Sequence, residues 1–462
     1  MTVFSIPGLT AGELAELDVL FEQLASFRRI NKTRQNYDEA KQELKNLGIA
    51  IPPHLTKIAV ALEWPRAAWK HLANRVNFET FTLADGALSD FGIDRIMREN
   101  HVRREAPLQE AEAFKYGPAF ILTLAGGPGE PAVVQRGLSP RSSTVLWDPN
   151  LRRATALLAV TESKDARAVE FIYANDEFVH TVRLVGREWQ VETTPTVIGR
   201  CPVSVLPHAP DLENPLGRSR ITQGVMATTD RAMRTLLRME LTAEFFSAPQ
   251  RYLLGADSES FVDADGNPVS GWSSLIGRWN AIARDEDGEL PTIWQAPQSS
   301  MQPHIEMLRS DAAVFAGITN IPMHALGIVH DNPASSEALE SSYSALDRDA
   351  EAAVQSFSDG RVDSMHVAVM VRDGLTEVPE ALWGLEAKYR PTSLPTVAAA
   401  ADAMVKRITA LPWLGETEVA LEGFGYDRPT RDRLMSEKRR LQGRATVEAL
   451  VNAAGEASDG EG

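Results

Sequence analysis

The chain has little cysteine, little positive charge and no long apolar run. Its single cysteine, Cys201, excludes an intrachain disulfide framework and is typical of a reducing compartment. No uninterrupted apolar stretch approaches the roughly 18 residues that a membrane span needs, and no basic segment with an apolar core opens the chain. We therefore expect a soluble protein with no membrane partner, in which Cys201 is a small buried apolar residue.

Positive charge is scarce, because 47 basic side chains face 63 acidic ones and the formal net charge is -16. Such a chain repels nucleic acid at long range, which argues against a protein that wraps DNA or reads its sequence tightly. A channel through which DNA slides is compatible with acidity, since each neutralised phosphate adds affinity that movement must break. The charge argues against gripping DNA and leaves contact with DNA open.

Motifs for catalysis and metal binding are also scarce. The glycine cluster at 126–129 is followed by Glu130 instead of the Lys and Ser or Thr of a phosphate loop, so it predicts a hairpin turn. Residues 263–266 resemble the start of a calcium loop but lack the later glutamate. His324 and His330 have no carboxylate cluster beside them. We predict no catalytic residue, metal or cofactor, although two carboxylates brought together only by folding could still serve a glycan hydrolase.

Two textures divide the first half of the chain. Apolar residues recur every three or four positions and predict helices over 11–27, 36–47 and 55–78, so this section is expected to be helical throughout. From Phe114 onward, short apolar runs separated by turn residues predict antiparallel strands. The runs are residues 119–124, 144–147, 156–160, 168–173, 178–184 and 189–193. Together these patterns predict an α+β fold.

A hairpin-like arm is predicted in the second half. After a proline-rich linker at 207–216, residues 218–246 predict one helix of about 29 residues, roughly 44 Å long. Pro303 opens a second helix that returns over 303–316, and the insert between them is rich in Trp, Gly and Pro. Because such an arm has too little core to be stable alone, we expect it to pack against copies of itself.

Four arginines are predicted on one face of the first of these helices, namely Arg220, Arg231, Arg234 and Arg238. They form either a solvated face with salt bridges to nearby glutamates or a contact with the acids of a neighbouring copy. The loop at 322–333 is either an ordinary connection or a mobile functional loop. Ser335 or Ser336 can then cap a long helix with Leu346 and Phe357 on its apolar face. Alanine-rich helices follow over 396–454.

The ordered set of these pieces resembles the portal proteins of tailed bacteriophages, of the long-tailed phage type. The matching stretches are a tyrosine helix at 37–44, the helix at 55–78 with Trp69, the entry to the strands at 114–120, residues 216–221 and 248–251, and the loop at 318–333 followed by 335–338. The similarity covers residues 11–454.

The resemblance implies a phage portal-like architecture with a helical stem, a β-containing wing and clip, and a helical crown. Its parts would be an N-terminal helical region and α+β wing (1–217), a stem helix (218–246), a clip (247–302), a returning stem helix (303–317), a tunnel loop (318–333), a long wing helix with the following wing segment (334–395), a helical crown (396–454) and a flexible acidic tail (455–462).

The resemblance also assigns residues to these parts. Tunnel-loop residues would be Ile321, Pro322, Leu326, Gly327, Ile328 and Asn332; stem or inter-subunit residues Arg220, Arg231, Arg234, Arg238, Ile305 and Leu308; clip residues Trp272, Trp279 and Trp294. An extended clip with three tryptophans departs from the family pattern.

The function that the resemblance implies is structural, with no catalytic residues. A dodecameric ring at one capsid vertex of the virion, assembled in the host cytoplasm, would pass double-stranded viral DNA during packaging and ejection. Its other partners would be the terminase motor, the major capsid and scaffold proteins, and a head-completion or tail adaptor protein. Two alternatives stay open: another virion connector that conducts no DNA, and the carboxylate-dependent glycan hydrolase.

Overall fold

The computed structural model describes residues 6–43, 61–84, 88–165, 167–247, 251–254, 292–295, 300–328, 336–393 and 397–459. The chain divides into two compact units, Met1–Thr392 and Ser393–Gly462. The helices are α1 Ala11–Asp38, α2 Trp64–Ala73, α3 Ile93–Glu99, α4 Val102–Tyr116, α5 Gln223–Ser247, α6 Gln302–Thr319, α7 Ser336–Ser342, α8 Ser344–Asp373, α9 Val397–Ala410, α10 Glu418–Gly423 and α11 Arg428–Asp459. The strands are β1 Phe78–Leu83, β2 Pro118–Ala125, β3 Val133–Leu138, β4 Ser143–Asp148, β5 Arg153–Lys164, β6 Arg167–Ala174, β7 Phe178–Val185, β8 Glu188–Pro195, β9 Val203–Pro207, β10 Arg251–Leu254, β11 Thr292–Gln295 and β12 Leu385–Tyr389.

A five-stranded antiparallel sheet in the order β4-β5-β6-β7-β8 confirms the strands predicted between 144 and 193. Helix α1 covers one face, where Leu17, Leu20 and Leu24 are buried against strand residues such as Phe171. The helix begins with a capping box, in which the Thr10 side chain accepts from one backbone N–H and the carboxylate at the third position accepts from the Thr10 N–H. Apolar spacing and cap together fix the start of this helix.

The opposite face of the same sheet packs on a three-stranded sheet in the order β3-β2-β9. Along β5, Leu158 lies on the α1 side and Leu157 on the side of the second sheet, because successive strand residues point to opposite faces. The turn between β2 and β3 contains the 126–129 cluster, where the Gly126 N–H donates to the Ala132 carbonyl. The predicted hairpin turn is confirmed.

Helix α8 runs through the core of the first unit. Leu346, Ala350 and Phe357 are fully buried beside residues of α2, α5 and α6, which confirms the predicted apolar face. Farther along, Met365 lies in a separate apolar cluster with β1 and β12. At Gly360 the helix backbone touches β9, since a Cβ there would lie 2.2 Å from the Val205 carbonyl oxygen.

The residue after this close contact, Arg361, carries a buried charge. Its guanidinium lies 3.1 Å from a carboxylate oxygen of Glu110 on α4 and donates to Gln109 and to the Ala106 carbonyl. The Tyr389 hydroxyl of β12 donates to the same Glu110 oxygen over 3.0 Å. Three elements of the core, α4, α8 and β12, therefore meet at one ion pair.

The second unit is helical, as the sequence predicted for 396–454. A 3-10 turn at Pro412–Glu416 separates α9 from α10, and Met404 and Ala420 are buried within the unit. Helix α11 continues to Asp459, so the predicted tail at 455–462 begins inside a helix. The sequence misplaced this end because its acidic residues do not break the helical backbone.

Several predicted elements differ from the structure. The first section is not helical throughout, since Phe78–Leu83 is a strand that pairs with Leu385–Tyr389. Of the helix predicted over 55–78, Trp64–Ala73 is helical, while 55–60 lies outside the described residues. Strands β3 and β9 were not predicted. The helix predicted from 218 begins at Gln223, and the long helix is interrupted at Tyr343.

Gly360→Ala should destabilise the first unit by about 1–3 kcal/mol, because the new methyl group would overlap the Val205 carbonyl. Urea unfolding followed by circular dichroism measures the change. Gly317→Ala is the matched control, since Gly317 is also helical and a Cβ there meets nothing within 4 Å. The control should be neutral or up to about 1 kcal/mol more stable; equal stability of both variants would contradict the close contact.

Candidate functional site

The candidate site is the hairpin formed by α5 and α6 together with the segment that follows it. The helices run antiparallel, because Gly224 lies beside Ile318 at one end while Arg231 lies beside Asp311 farther along. The Asp311 carboxylate is almost fully buried and accepts from Arg231, with the Thr235 hydroxyl 3.5 Å away. A charge-assisted contact within one chain therefore fixes the register of the hairpin.

Arg220 is not part of the arginine stripe on α5, because it precedes the first residue of that helix. Its guanidinium is directed into its own chain: it pairs with Asp349 of α8 over 3.0 Å and donates to the carbonyls of Ala68 and Thr319. Burial lowers the pKa of Arg220, and the Asp349 charge opposes that shift. Arg220 thus ties the base of the hairpin to α2 and α8.

The other predicted stem residues lie on the hairpin itself. Arg234 is half-buried, and the Arg238 Nε is buried without a hydrogen-bond partner among the described residues. Ile305 is half-buried, and Leu308 packs against the core that contains Phe315. Whether these residues contact a neighbouring copy stays a prediction.

One face of α6 exposes apolar side chains. Met307, Val314 and Ile318 are 39%, 43% and 43% exposed, and their spacing of seven and four places them on one stripe. The neighbouring exposed positions are polar or small, namely Glu306, Arg309, Ser310, Ala313 and Gly317. The stripe is therefore a distinct apolar surface of the hairpin.

The predicted tunnel loop begins with an ordered turn. Asn320 ends α6 in the left-handed conformation (φ +56°), and Ile321 is fully buried directly after it. Pro322 precedes a 3-10 turn over Met323–Leu326, which Gly327 ends at φ +81°. Leu326 and Ile328 pack against the core, whereas Asn332 and His330 lie outside the described residues.

A polar cluster holds this turn against the start of α8. The Tyr343 hydroxyl lies 3.1 Å from His324 Nε2, and the Arg75 guanidinium lies 4.6 Å from the centre of the Tyr343 ring. Arg75 also pairs with Asp347 over 2.9 Å. Burial raises the pKa of Asp347, and the Arg75 charge opposes that shift. The cluster connects α2, the turn and α8.

Of the three predicted clip residues, one lies in a described strand. Trp272 and Trp279 lie outside the described residues, and Trp294 lies in β11 opposite Tyr252 of β10. These two strands confirm a β element in the predicted clip, at the ends of the insert that joins α5 to α6.

Sequence reasoning missed His208, which closes the linker before α5. Its backbone N–H donates to Gly117, and the Arg218 N–H donates back to the His208 carbonyl over 2.7 Å. The buried ring donates from Nδ1 to the Arg218 carbonyl, and burial lowers the pKa of His208 to about 4. Gly117 and Gly217 both have positive φ, and these two glycines were the only sequence signal of the close approach.

The described residues hold no group of three or more His, Cys, Asp or Glu suited to a metal ion. None of the described helices is long and apolar enough to cross a membrane. Cys201 is fully buried as predicted, and burial raises the pKa of its thiol. The arrangement therefore offers packing faces and an anchored turn as its distinctive features.

A family model described as phage portal protein, SPP1 Gp6-like, matches residues 22–412. The chain belongs to this portal protein family. The portal protein of Mycobacterium phage L5 is 25% identical over 446 residues, which cover 94% of this chain and 90% of that relative. The portal protein of Mycobacterium phage D29 is 26% identical over 447 residues, covering 94% and 91%. The resemblance stated from the sequence is confirmed.

Among solved structures, a chain from the neck of a native GTA particle computed with C12 symmetry has a TM-score of 0.42 and 11% identity, covering 88% of this chain and 93% of that one. A chain from the neck of an empty GTA particle computed with C6 symmetry has a TM-score of 0.42 and 12% identity, covering 86% and 94%. This portal protein is a structural virion component of mixed helix and sheet, as predicted.

Asp349→Ala in the portal protein should cost about 1–3 kcal/mol of unfolding free energy, because it leaves the mostly buried Arg220 charge without its ion-pair partner. Denaturant unfolding measures the loss. Asp402→Ala is the control, since it breaks an exposed pair with Lys406 and should change stability by less than about 1 kcal/mol. Similar small effects of both substitutions would show that Arg220 does not depend on Asp349.

Stability should fall as the pH is lowered from 6.5 to about 4, because the unfolded chain protonates His208 near pH 6.5 and the folded chain does not until about 4. The folding stability that depends on a neutral His208 is fully present above pH 6.5, and up to about 3 kcal/mol of it is lost as the pH falls to about 4. His208→Gln should flatten the dependence of the urea midpoint on pH in this window. Unchanged slopes in the two proteins would contradict a buried neutral His208.

Proposed function

We propose that this chain forms a dodecameric ring at one vertex of a phage capsid and that double-stranded viral DNA passes through the ring during packaging and ejection. Membership of the portal protein family supports this proposal. The observation that carries it in the chain itself is the exposed apolar stripe on α6. Exposed apolar surface of this kind is stabilised when a neighbouring copy covers it.

In the proposed ring, residues 218–246 and 303–317 are the stem and residues 247–302 are the clip that docks the terminase motor and later the tail adaptor. Residues 318–333 are the tunnel loop, with Ile321 and Leu326 as its anchored start. Residues 396–454 are the crown. This assignment also gives the proposed partners, which are the terminase, the major capsid and scaffold proteins and the adaptor, with assembly in the host cytoplasm.

Arg231 has two roles in this proposal. Its Nε contacts Asp311 of its own chain, while the side chain is still 44% exposed and can meet a neighbouring stem. Arg234 and Arg238 lie three and seven positions farther along α5, on the same side of the helix. We infer that this row of cations faces acidic groups of the adjacent copy, which would orient the subunits while the apolar stripe supplies the buried area.

The protein acts as a structural conduit in this proposal and carries out no chemistry of its own. A smooth acidic wall lets DNA slide, since few phosphates are neutralised along the path. The net charge of -16 supports this view. Energy for translocation would come from the separate terminase motor.

The purified chain should form rings with an open axial channel, visible by negative-stain microscopy, and mass photometry should give a mass of many copies. Val314→Glu places a charge on the apolar stripe and should abolish the rings or reduce their yield more than tenfold. Ala313→Glu, at the adjacent exposed position among polar neighbours, is the matched control and should leave them intact.

Two results would contradict the proposal. Folded monomers of the unmodified chain at micromolar concentration would show that the stripe needs no second copy. Rings without an axial opening would favour a virion connector through which no DNA passes.

A further inference from the structure

One helix of the second unit concentrates positive charge in an otherwise acidic chain. Residues 428–444 of α11 contain seven Arg or Lys and two acidic residues, whereas residues 445–462 contain four acidic residues and no basic one. The formal charge of the whole chain is -16. The average composition therefore hides a local basic segment.

Three of the seven cations already have acidic partners in their own unit. Arg431 is buried and pairs with Glu422 over 3.1 Å, and Arg433 pairs with Glu437 over 3.2 Å. Arg428 lies 3.9 Å from Asp432. The cations at the beginning of α11 are therefore explained by packing and ion pairs within their own unit.

The remaining arginines are presented to solvent. Every residue from 439 to 447 is exposed, and this stretch contains Arg439, Arg440 and Arg444. Arg439 donates to the Met435 carbonyl one turn earlier, and no ion pair involves Arg440 or Arg444 among the described side chains. Arg440 and Arg444 lie one turn apart on one face, about 6 Å along the axis.

We propose that Arg439, Arg440 and Arg444 of α11 bind the phosphate backbone of double-stranded DNA. The inference rests on the proposed function, which brings DNA to the protein, and adds the residues that contact the duplex while the rest of the chain stays acidic. Arginine suits this role because its planar guanidinium donates two parallel hydrogen bonds to phosphate oxygens. No base contact is involved, so binding is independent of sequence.

The acidity of the rest of the chain does not prevent this contact. At physiological salt the Debye length is about 8 Å, so repulsion from distant carboxylates is screened while direct arginine–phosphate contacts are retained. Three phosphate contacts give weak binding for one copy. Several copies in one ring would act on the same duplex, which raises the effective affinity.

The other polyanion available to these arginines is the acidic second half of a neighbouring α11. Three acidic residues lie in its residues 445–459, or one charge per roughly 8 Å of helix. Duplex DNA carries one charge per about 1.7 Å. The higher charge density favours DNA as the partner, and contact between copies is an outcome that the experiment separates.

Binding of a labelled 30-base-pair duplex to the full-length protein should be measured by fluorescence anisotropy between 50 and 200 mM NaCl. The variant R439Q/R440Q/R444Q should bind at least tenfold more weakly at 100 mM salt. The slope of its log binding constant against log salt concentration should be smaller in magnitude by one to three. The control R104Q/R152Q/R187Q removes three exposed arginines from the first unit and should bind like the unmodified protein. R439K/R440K/R444K should retain most of the slope.

Equal affinity of the glutamine variant and the unmodified protein would overturn the proposal, as would the absence of measurable DNA binding at 50 mM salt. A changed oligomer mass with unchanged DNA affinity would also overturn it and would assign the arginines to contact between copies. None of these results tests the axial channel or the effect of Val314→Glu on ring yield, which microscopy measures separately. Failure of the two proposals is therefore distinguishable.

Discussion

The buried ion pair between Arg361 and Glu110 is the constraint on which the first unit depends. Both side chains are 2% exposed, so each charge has lost its water and is stabilised only by the other and by the hydrogen bonds around them. Separating such a pair costs several kcal/mol, whereas an apolar pair in its place could be equally stable. The pair therefore contributes orientation more than stability, because α8 can form it in only one register against α4 and β12. The adjacent Gly360 uses this register, because the backbone of α8 meets β9 only where no side chain intervenes.

The hairpin of α5 and α6 inherits its position from this fixed helix through a second set of charges. Asp349, near the start of α8, accepts from Arg220 at the base of α5 and from Asn320 at the end of α6. Asp347, two residues earlier, pairs with Arg75 after α2. Apolar contacts alone would let the hairpin slide along α8, since such contacts are not directional. These hydrogen-bonded pairs fix the angle between the hairpin and α8. A protein whose copies must meet identically around an axis needs such an angle, so the polar junction is consistent with the proposed ring.

The sequence predicted those parts of the fold that local pattern determines. The six strand runs from 119 to 193 and the buried face with Leu346 and Phe357 follow from side-chain periodicity, and they are confirmed. The pairing of β1 with β12 joins residues about 300 positions apart, and neither short run signals its partner. Arg220 illustrates the same limit at the site, since helical spacing placed it on α5 with Arg231, whereas the helix begins at Gln223. Charge type and spacing are visible in a sequence, but the carboxylate that a given arginine meets depends on the fold.

Helix α6 carries a polar group that is paired within its own chain and apolar side chains that a neighbouring copy could cover. Toward α5, the buried Asp311 accepts from Arg231 and lies 3.5 Å from the Thr235 hydroxyl, so its charge is paired within its own chain. On the apolar stripe, Met307, Val314 and Ile318 are still 39%, 43% and 43% exposed, and each further buried CH₂ group would contribute about 0.8 kcal/mol if a neighbour covered it. This asymmetry means that association adds apolar burial without breaking the internal pairs. The hairpin can therefore keep its own register while copies assemble.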